Sequence, residues 1–178
     1  MTVHAFVDES RRNSTYYIAA AIVVPGQLTR TRKAMRSLLL PGQREIHFYK
    51  EKPPRRRAIV DYIARLPIEV EIYHRQCARH DEPTRQACLR QLADSLLRRG
   101  AQRLVIDSRQ DRDAHDRHTL YQAMEEWREP ELVYEHMSST SDQLLWIADV
   151  AAWCYGTGGD WRCRIMPIIA KAFDVNCA

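Results

Sequence analysis

The chain has 178 residues, 45% hydrophobic and 28% charged, with a formal net charge of +4; that is ordinary globular composition, and it predicts one domain over residues 1–178 with a full core. Its positive charge is almost all arginine, with lysine only at Lys33, Lys50, Lys52 and Lys171; arginine suits bidentate phosphate contacts without by itself naming a nucleic-acid partner. Cys77, Cys88, Cys154, Cys163 and Cys177 show neither C-x-x-C nor zinc spacing, no secretory leader is legible, and the longest apolar run (16–24) is half a bilayer span, which argues against a disulfide scaffold, a zinc fold and a membrane protein and predicts a cytoplasmic one with reduced thiols.

In chain order, VHAFVD (3–8) alternates and TYYIAAAIVV (15–24) is nearly continuous apolar, so the two predict a buried hairpin joined by the polar stretch ESRRNS. Leu28, Met35, Leu38 and Leu39 recur at helical spacing over 27–40, and EIHFY (45–49) is ambiguous. A helix with proline at its start follows over 53–66. Strands are predicted at 68–73, 103–108 and 131–137, the last being the final strand, alternating with helices at 83–100, 111–127 and 141–154. GTGGD (156–160) then breaks the chain before a short terminal helix through MPIIAKAF. Alternating strands and helices after an opening hairpin give a mixed α/β sheet covered by helices.

Three carboxylates fall in apolar surroundings. Asp8 ends the first predicted strand, Asp107 ends RLVID, and Asp149 lies inside WIADVAAW. Asp8 in a hairpin turn or Asp107 as a helix cap is the plain alternative. Asp149 in an apolar helix needs a cation or donors. If the first strand and RLVID are parallel neighbours, their carboxyl ends meet where ligands of such sheets bind, and a helix across that edge brings Asp149 there. Clustered carboxylates call for a hard divalent cation, Mg²⁺ or Mn²⁺, and two such ions serve phosphodiester cleavage. Glu45 is the best fourth ligand. Glu9 follows Asp8 and faces the other side of a regular strand, so it supports rather than ligates. Asp142 is roughly 10 Å down the helix from Asp149; Thr140 and Gln143 resemble a capping box beside it.

FVDES, EIHF, VIDS and LLWIADVAAW, in this order, resemble a bacterial family, the domain-of-unknown-function 3800 family. The resemblance implies a ribonuclease H-like fold and metal-dependent nuclease activity. The family's opening D-E-S/A-G corresponds to Asp8, Glu9 and Ser10, with Arg11 in place of glycine, and its late L-Q-x-A-D to Leu145, Ala148 and Asp149, with Trp146 in place of glutamine. A strand, not a helix, follows the first strand, which argues against a PIN-type nuclease, and Ser10 breaks the D-x-D of a haloacid-dehalogenase-type phosphatase. GTGGD follows a helix and reads as a turn, while His115 and His118 read as a solvated helix face.

His47 is a candidate for positioning water or phosphate. The basic segment 50–57, with Lys50, Lys52, Arg55, Arg56 and Arg57, reads either as a solvated helix start or as a phosphate-tracking surface. The expectation is therefore an RNase H-like α/β domain in which Asp8, Glu45, Asp107 and Asp149 bind Mg²⁺ or Mn²⁺ and cleave DNA or RNA. The second reading is a non-catalytic module that keeps the fold to bind nucleic acid or protein in defence or mobile-element systems.

Overall fold

The computed structural model describes residues 2–77, 80–109, 111–127 and 131–175. Strand β1 (His4–Arg12) pairs antiparallel with β2 (Thr15–Val23), from His4 opposite Val23 to Arg12 opposite Thr15. The predicted hairpin is present, but β1 runs four residues past Asp8. The register leaves only Asn13 and Ser14 to turn the chain, with Asn13 at φ 51°, a conformation asparagine tolerates. Backbone pairing with Thr15–Ile18 holds the polar ESRR stretch in the strand although its composition suggests a loop.

The sheet continues through β3 (Glu69–Gln76), β4 (Arg103–Asp107), β5 (Val133–Met137) and β6 (Ile169–Asp174), in the order β5-β4-β1-β2-β3-β6. β1, β4 and β5 are parallel, β3 and β6 are parallel, and β2 opposes its neighbours. β6 corrects the predicted terminal helix through MPIIAKAF and the placing of the last strand at 131–137. Its ladder to β3 occupies an edge that would otherwise leave backbone groups unpaired, and the Phe173 ring stacks on Tyr73 at 4.9 Å. Tertiary pairing overrides the helical look of its alanines.

Among the described residues six α-helices cover the sheet: α1 (Leu28–Arg36), α2 (Pro53–Ile63), α3 (Glu82–Arg99), α4 (Asp113–Glu125), α5 (Leu145–Thr157) and α6 (Gly159–Ile165). Alternation in the strands sorts two cores. Phe6, Tyr17, Ala19 and Val105 pack with α1, α2, α5 and α6 on one face. Val7, Ile18, Ala20 and Ile106 pack with α3 and α4 on the other. α5 is apolar nearly all round because it lies in the first core across β1 and β2. Its predicted start at 141 moves to Leu145, and the capping box fails: Leu144 N–H donates to Asp142 Oδ1 at 3.0 Å instead.

Of the predicted thiols, Cys77, Cys88, Cys154 and Cys163 are free, and Cys177 lies outside the described residues. No helix among the described residues is long and apolar enough to cross a membrane.

Candidate metal centre

β1 and β4 pair in parallel through Phe6–Val105 and Val7–Ile106. Phe6 and Val105 point into the first core, so Asp8 and Asp107, two residues on, emerge on that same face from neighbouring strands. Asp107 closes β4 and Asp8 stands in mid-β1, one residue past the last β1–β4 pair, so both lie where the ladder between the two strands ends, beneath α5. Asp8, Asp107, Asp149 of α5 and Glu45 of the segment between α1 and α2 line one pocket of about 650 Å³. Sequence reasoning expected these four together, and they come from four separate segments.

Local bonds aim each carboxylate. The Phe48 backbone N–H donates to Asp149 Oδ2 at 3.0 Å. Ile46 and Phe48 are buried while Glu45 and His47 alternate outward, so the EIHF segment is a clamp for Asp149 and not a sheet strand. His47 Nδ1 stands 4.0 Å from Asp149 Oδ2. Ser139, just past β5, joins the rest: its N–H bonds Asp107, its Oγ donates to Glu45, and its carbonyl accepts from Trp146 Nε1 at 2.7 Å. Sequence reading gave Ser139 no role, because nothing local marks a loop serine as a hub.

The carboxylates are poorly neutralised. Asp8 is held well above the usual aspartate range by burial, then by Asp149 and Asp107, against one N–H from Glu9 at 2.7 Å and the Arg109 guanidinium. Asp107 is pushed up to about 6, chiefly by burial and then by Asp149 and Glu45, against the pull of Arg109 and Ser139. Asp149 is raised by burial and by Glu45, against Phe48 N–H, His47 and Arg109. The Asp8 and Asp149 side chains keep 12% and 21% of their exposure, so an ion has access. An all-oxygen carboxylate set whose charge the protein leaves largely uncompensated fits a hard divalent cation.

Ser10 lines the same pocket two residues beyond Asp8. Glu9 faces the opposite side of the sheet and meets Arg85 at 2.6 Å and Arg109 at 2.8 Å. Asp142 is 3% exposed and takes a fork of bonds from Arg32, which marks it as an anchor between α1 and α5. The basic segment divides. Lys50 lines the pocket and Lys52 and Arg57 are exposed, but Arg55 donates to the Leu38 carbonyl and Arg56 to those of Phe48 and Tyr49. Arg55 and Arg56 therefore brace the EIHF clamp. Arg12, Arg109 and Trp153 also line the pocket and were not anticipated. Alternation from Phe6 through Asp8 and Ser10 leads to Arg12, and Trp153 sits one turn after Asp149. Arg109 carries no sequence signal.

A second acidic group lies on the opposite face. Asp113, Asp116 and His136 bring three ligand atoms within 4.8 Å of one another, the only such group among the described residues; the pocket carboxylates stand further apart. Asp116 is already engaged, however. Arg85, 2% exposed, grips both its oxygens, and His136 Nε2 meets Oδ2 at 3.0 Å. Desolvation opposes ionisation of Asp113, yet bonds from Ser108 Oγ and Arg109 N–H hold it below its ordinary value. A cation there would have to displace a buried guanidinium. The pocket set has no such occupant.

No family model and no curated protein matches the chain. Among solved structures, the PCNA:RNase HII complex from Archaeoglobus fulgidus contains a similar chain, with a TM-score of 0.56 and 16% identity over 85% of this chain and 71% of that one. At that identity the likeness speaks for the fold alone. The six-stranded mixed sheet, opening with an antiparallel hairpin and flanked by helices, is RNase H-like.

Proposed function

We propose that this chain is a divalent-metal-dependent nuclease that hydrolyses phosphodiester bonds of DNA or RNA, and that it belongs with the domain-of-unknown-function 3800 proteins its short motifs resemble. One observation carries the reading: Asp8, Glu45, Asp107 and Asp149 share a pocket where the parallel β1–β4 ladder ends, without a buried cation among them.

In this reading the four carboxylates hold Mg²⁺ or Mn²⁺, and a bound ion supplies Lewis acidity and a water more acidic than bulk. The protein's own part is positional. Phe48 N–H and Ser139 fix the carboxylate oxygens, and α5 closes the site from one side. Arg109, at 3.7 Å from Asp8, balances part of the negative charge. Lys50 offers a phosphate contact from the pocket wall, and Lys52 and Arg57 are exposed nearby in the chain.

The test is incubation of labelled DNA and RNA with Mn²⁺ and with EDTA. Asp8→Asn and Asp149→Asn are expected to abolish cleavage. Asp142→Asn is expected to lower stability, by about 3 kcal/mol, through loss of the Arg32 pair, while sparing the activity of the folded fraction. Tight binding without cleavage in Mn²⁺ would leave the non-catalytic module as the reading.

A further inference from the structure

The acidic pocket has a basic end. Arg12 lies four residues beyond Asp8 on the same face of β1, roughly 13 Å away at about 3.3 Å per residue. Its guanidinium sits 4.7 Å from the centre of the Trp153 ring, and that of Arg56 sits 4.8 Å from the same ring. Arg56 is satisfied by two carbonyls. Arg12 is not: among the described residues it pairs with no carboxylate, and its Nε is buried without a hydrogen-bond partner. Trp153 is 8% exposed, and its indole Nε1 is also buried without a partner. Both residues line the pocket.

An unmade buried donor is costly, and more so when the group is charged. Here two occur together, both N–H, beside two guanidinium charges and with no acceptor in reach. The packing keeps them there. A Cβ on Gly156 of α5 would come within 3.1 Å of Arg12 Cγ and of the Tyr17 ring, so only glycine leaves the Arg12 stem its place.

We infer that Arg12 Nε and Trp153 Nε1 form an anion subsite that takes a phosphate group. Resting on the nuclease reading, that phosphate belongs to the bound strand and flanks the one at the carboxylates, because Arg12 is too far from Asp8 to share it. The indole N–H and the planar guanidinium edge supply directed donors, and the stacked ring fixes the fork. The subsite sets the register of the strand along β1.

The experiment uses the full chain in EDTA. Inorganic phosphate is titrated while the indole N–H resonance of Trp153, identified by its loss in Trp153→Phe, is followed. It is expected to move in the wild type and to stay in place in Arg12→Gln. In parallel, single-stranded DNA and RNA oligonucleotides are bound across a salt series. Arg12→Gln is expected to weaken binding about tenfold and to lower the slope of log affinity against log salt by about one. Trp153→Phe keeps the ring and should lose about threefold with an unchanged slope. If phosphate moves the resonance but no oligonucleotide binds, the anion subsite stands and the nucleic-acid reading falls. If oligonucleotides bind with the same affinity and slope in Arg12→Gln, or phosphate leaves the wild-type resonance in place, the subsite is overturned while the nuclease reading is untouched. Circular dichroism of each variant separates these outcomes from misfolding, and Arg12→Lys, which keeps the charge without the fork, is expected to restore the slope but not the full affinity.

Discussion

On one face of β1, Glu9 meets the Arg85 guanidinium at 2.6 Å, and the same guanidinium grips Asp116, which His136 also reaches. On the other face, one residue earlier, Asp8 faces Asp107 and Asp149 with no buried cation, only the 40% exposed Arg109 at 3.7 Å from Asp8 and the exposed His47 at 4.0 Å from Asp149. Residue types and strand are the same, and the electrostatic outcomes are opposite. The first group is a closed ion network that ties β1 to α3 and α4. The second is a set of carboxylates held above their ordinary pKa by burial and by one another. Acidic clustering alone therefore does not mark a metal site; what distinguishes the two is whether the protein has built in its own cation.

The comparison breaks first at Arg85. Arg85→Met leaves buried Glu9 with only the partly exposed Arg109 and buried Asp116 with only His136, so stability should fall by about 3–5 kcal/mol, measured by urea unfolding in EDTA. A loss under 1 kcal/mol would mean that the two faces do not differ in kind. Mn²⁺ should act only on the other face. At about a hundredfold over its Kd it should raise stability by roughly 2.7 kcal/mol. Asp149→Asn should cancel most of that gain in thermal melts, and an equal response in both proteins would detach Asp149 from the metal.

The pH dependence sharpens the contrast. An exposed aspartate titrates near pH 4, and Asp107 in the folded protein near about 6. Between these values the folded metal-free protein holds a proton that the unfolded chain has released. Its stability should therefore fall as pH rises through that window, on the order of 2 kcal/mol once solvent screening is allowed for. Asp107→Asn should flatten the slope. The smallest effect is the most diagnostic in sign: Asp149→Asn should stabilise the metal-free protein by about 1 kcal/mol, because it removes a like charge while keeping the shape. Loss of stability instead would make Asp149 a bonded structural residue.

The strand alternation of β1, the strand RLVID and the helical setting of Asp149 were legible in the sequence, because each is a local pattern of apolar and polar side chains; the parallel β1–β4 pairing entered only as a condition, and the fold supplied it. From these follow the opening hairpin, the opposite facing of Asp8 and Glu9, and the grouping of three aspartates. Asp142 was set apart from that group by helix spacing, but it precedes α5, and what holds it apart is its pair with Arg32. Arg12 and Trp153 were not anticipated, although the same alternation leads to Arg12 and Trp153 sits one helical turn after Asp149; neither residue type announces an anion site.

Only the tertiary structure decided the rest. β6 forms because β3 has an edge to pair, a fact absent from MPIIAKAF itself. Arg55 and Arg56 look like a phosphate-binding run, yet the carbonyls of Leu38, Phe48 and Tyr49, earlier in the chain, take their donors. Ser139 and Arg109 reach the carboxylates from loops whose composition shows nothing of it. Periodicity fixes which way a side chain faces. What it meets there depends on segments brought together from across the chain, and partner identity is what turns one buried carboxylate into a salt bridge and its neighbour into a candidate metal ligand.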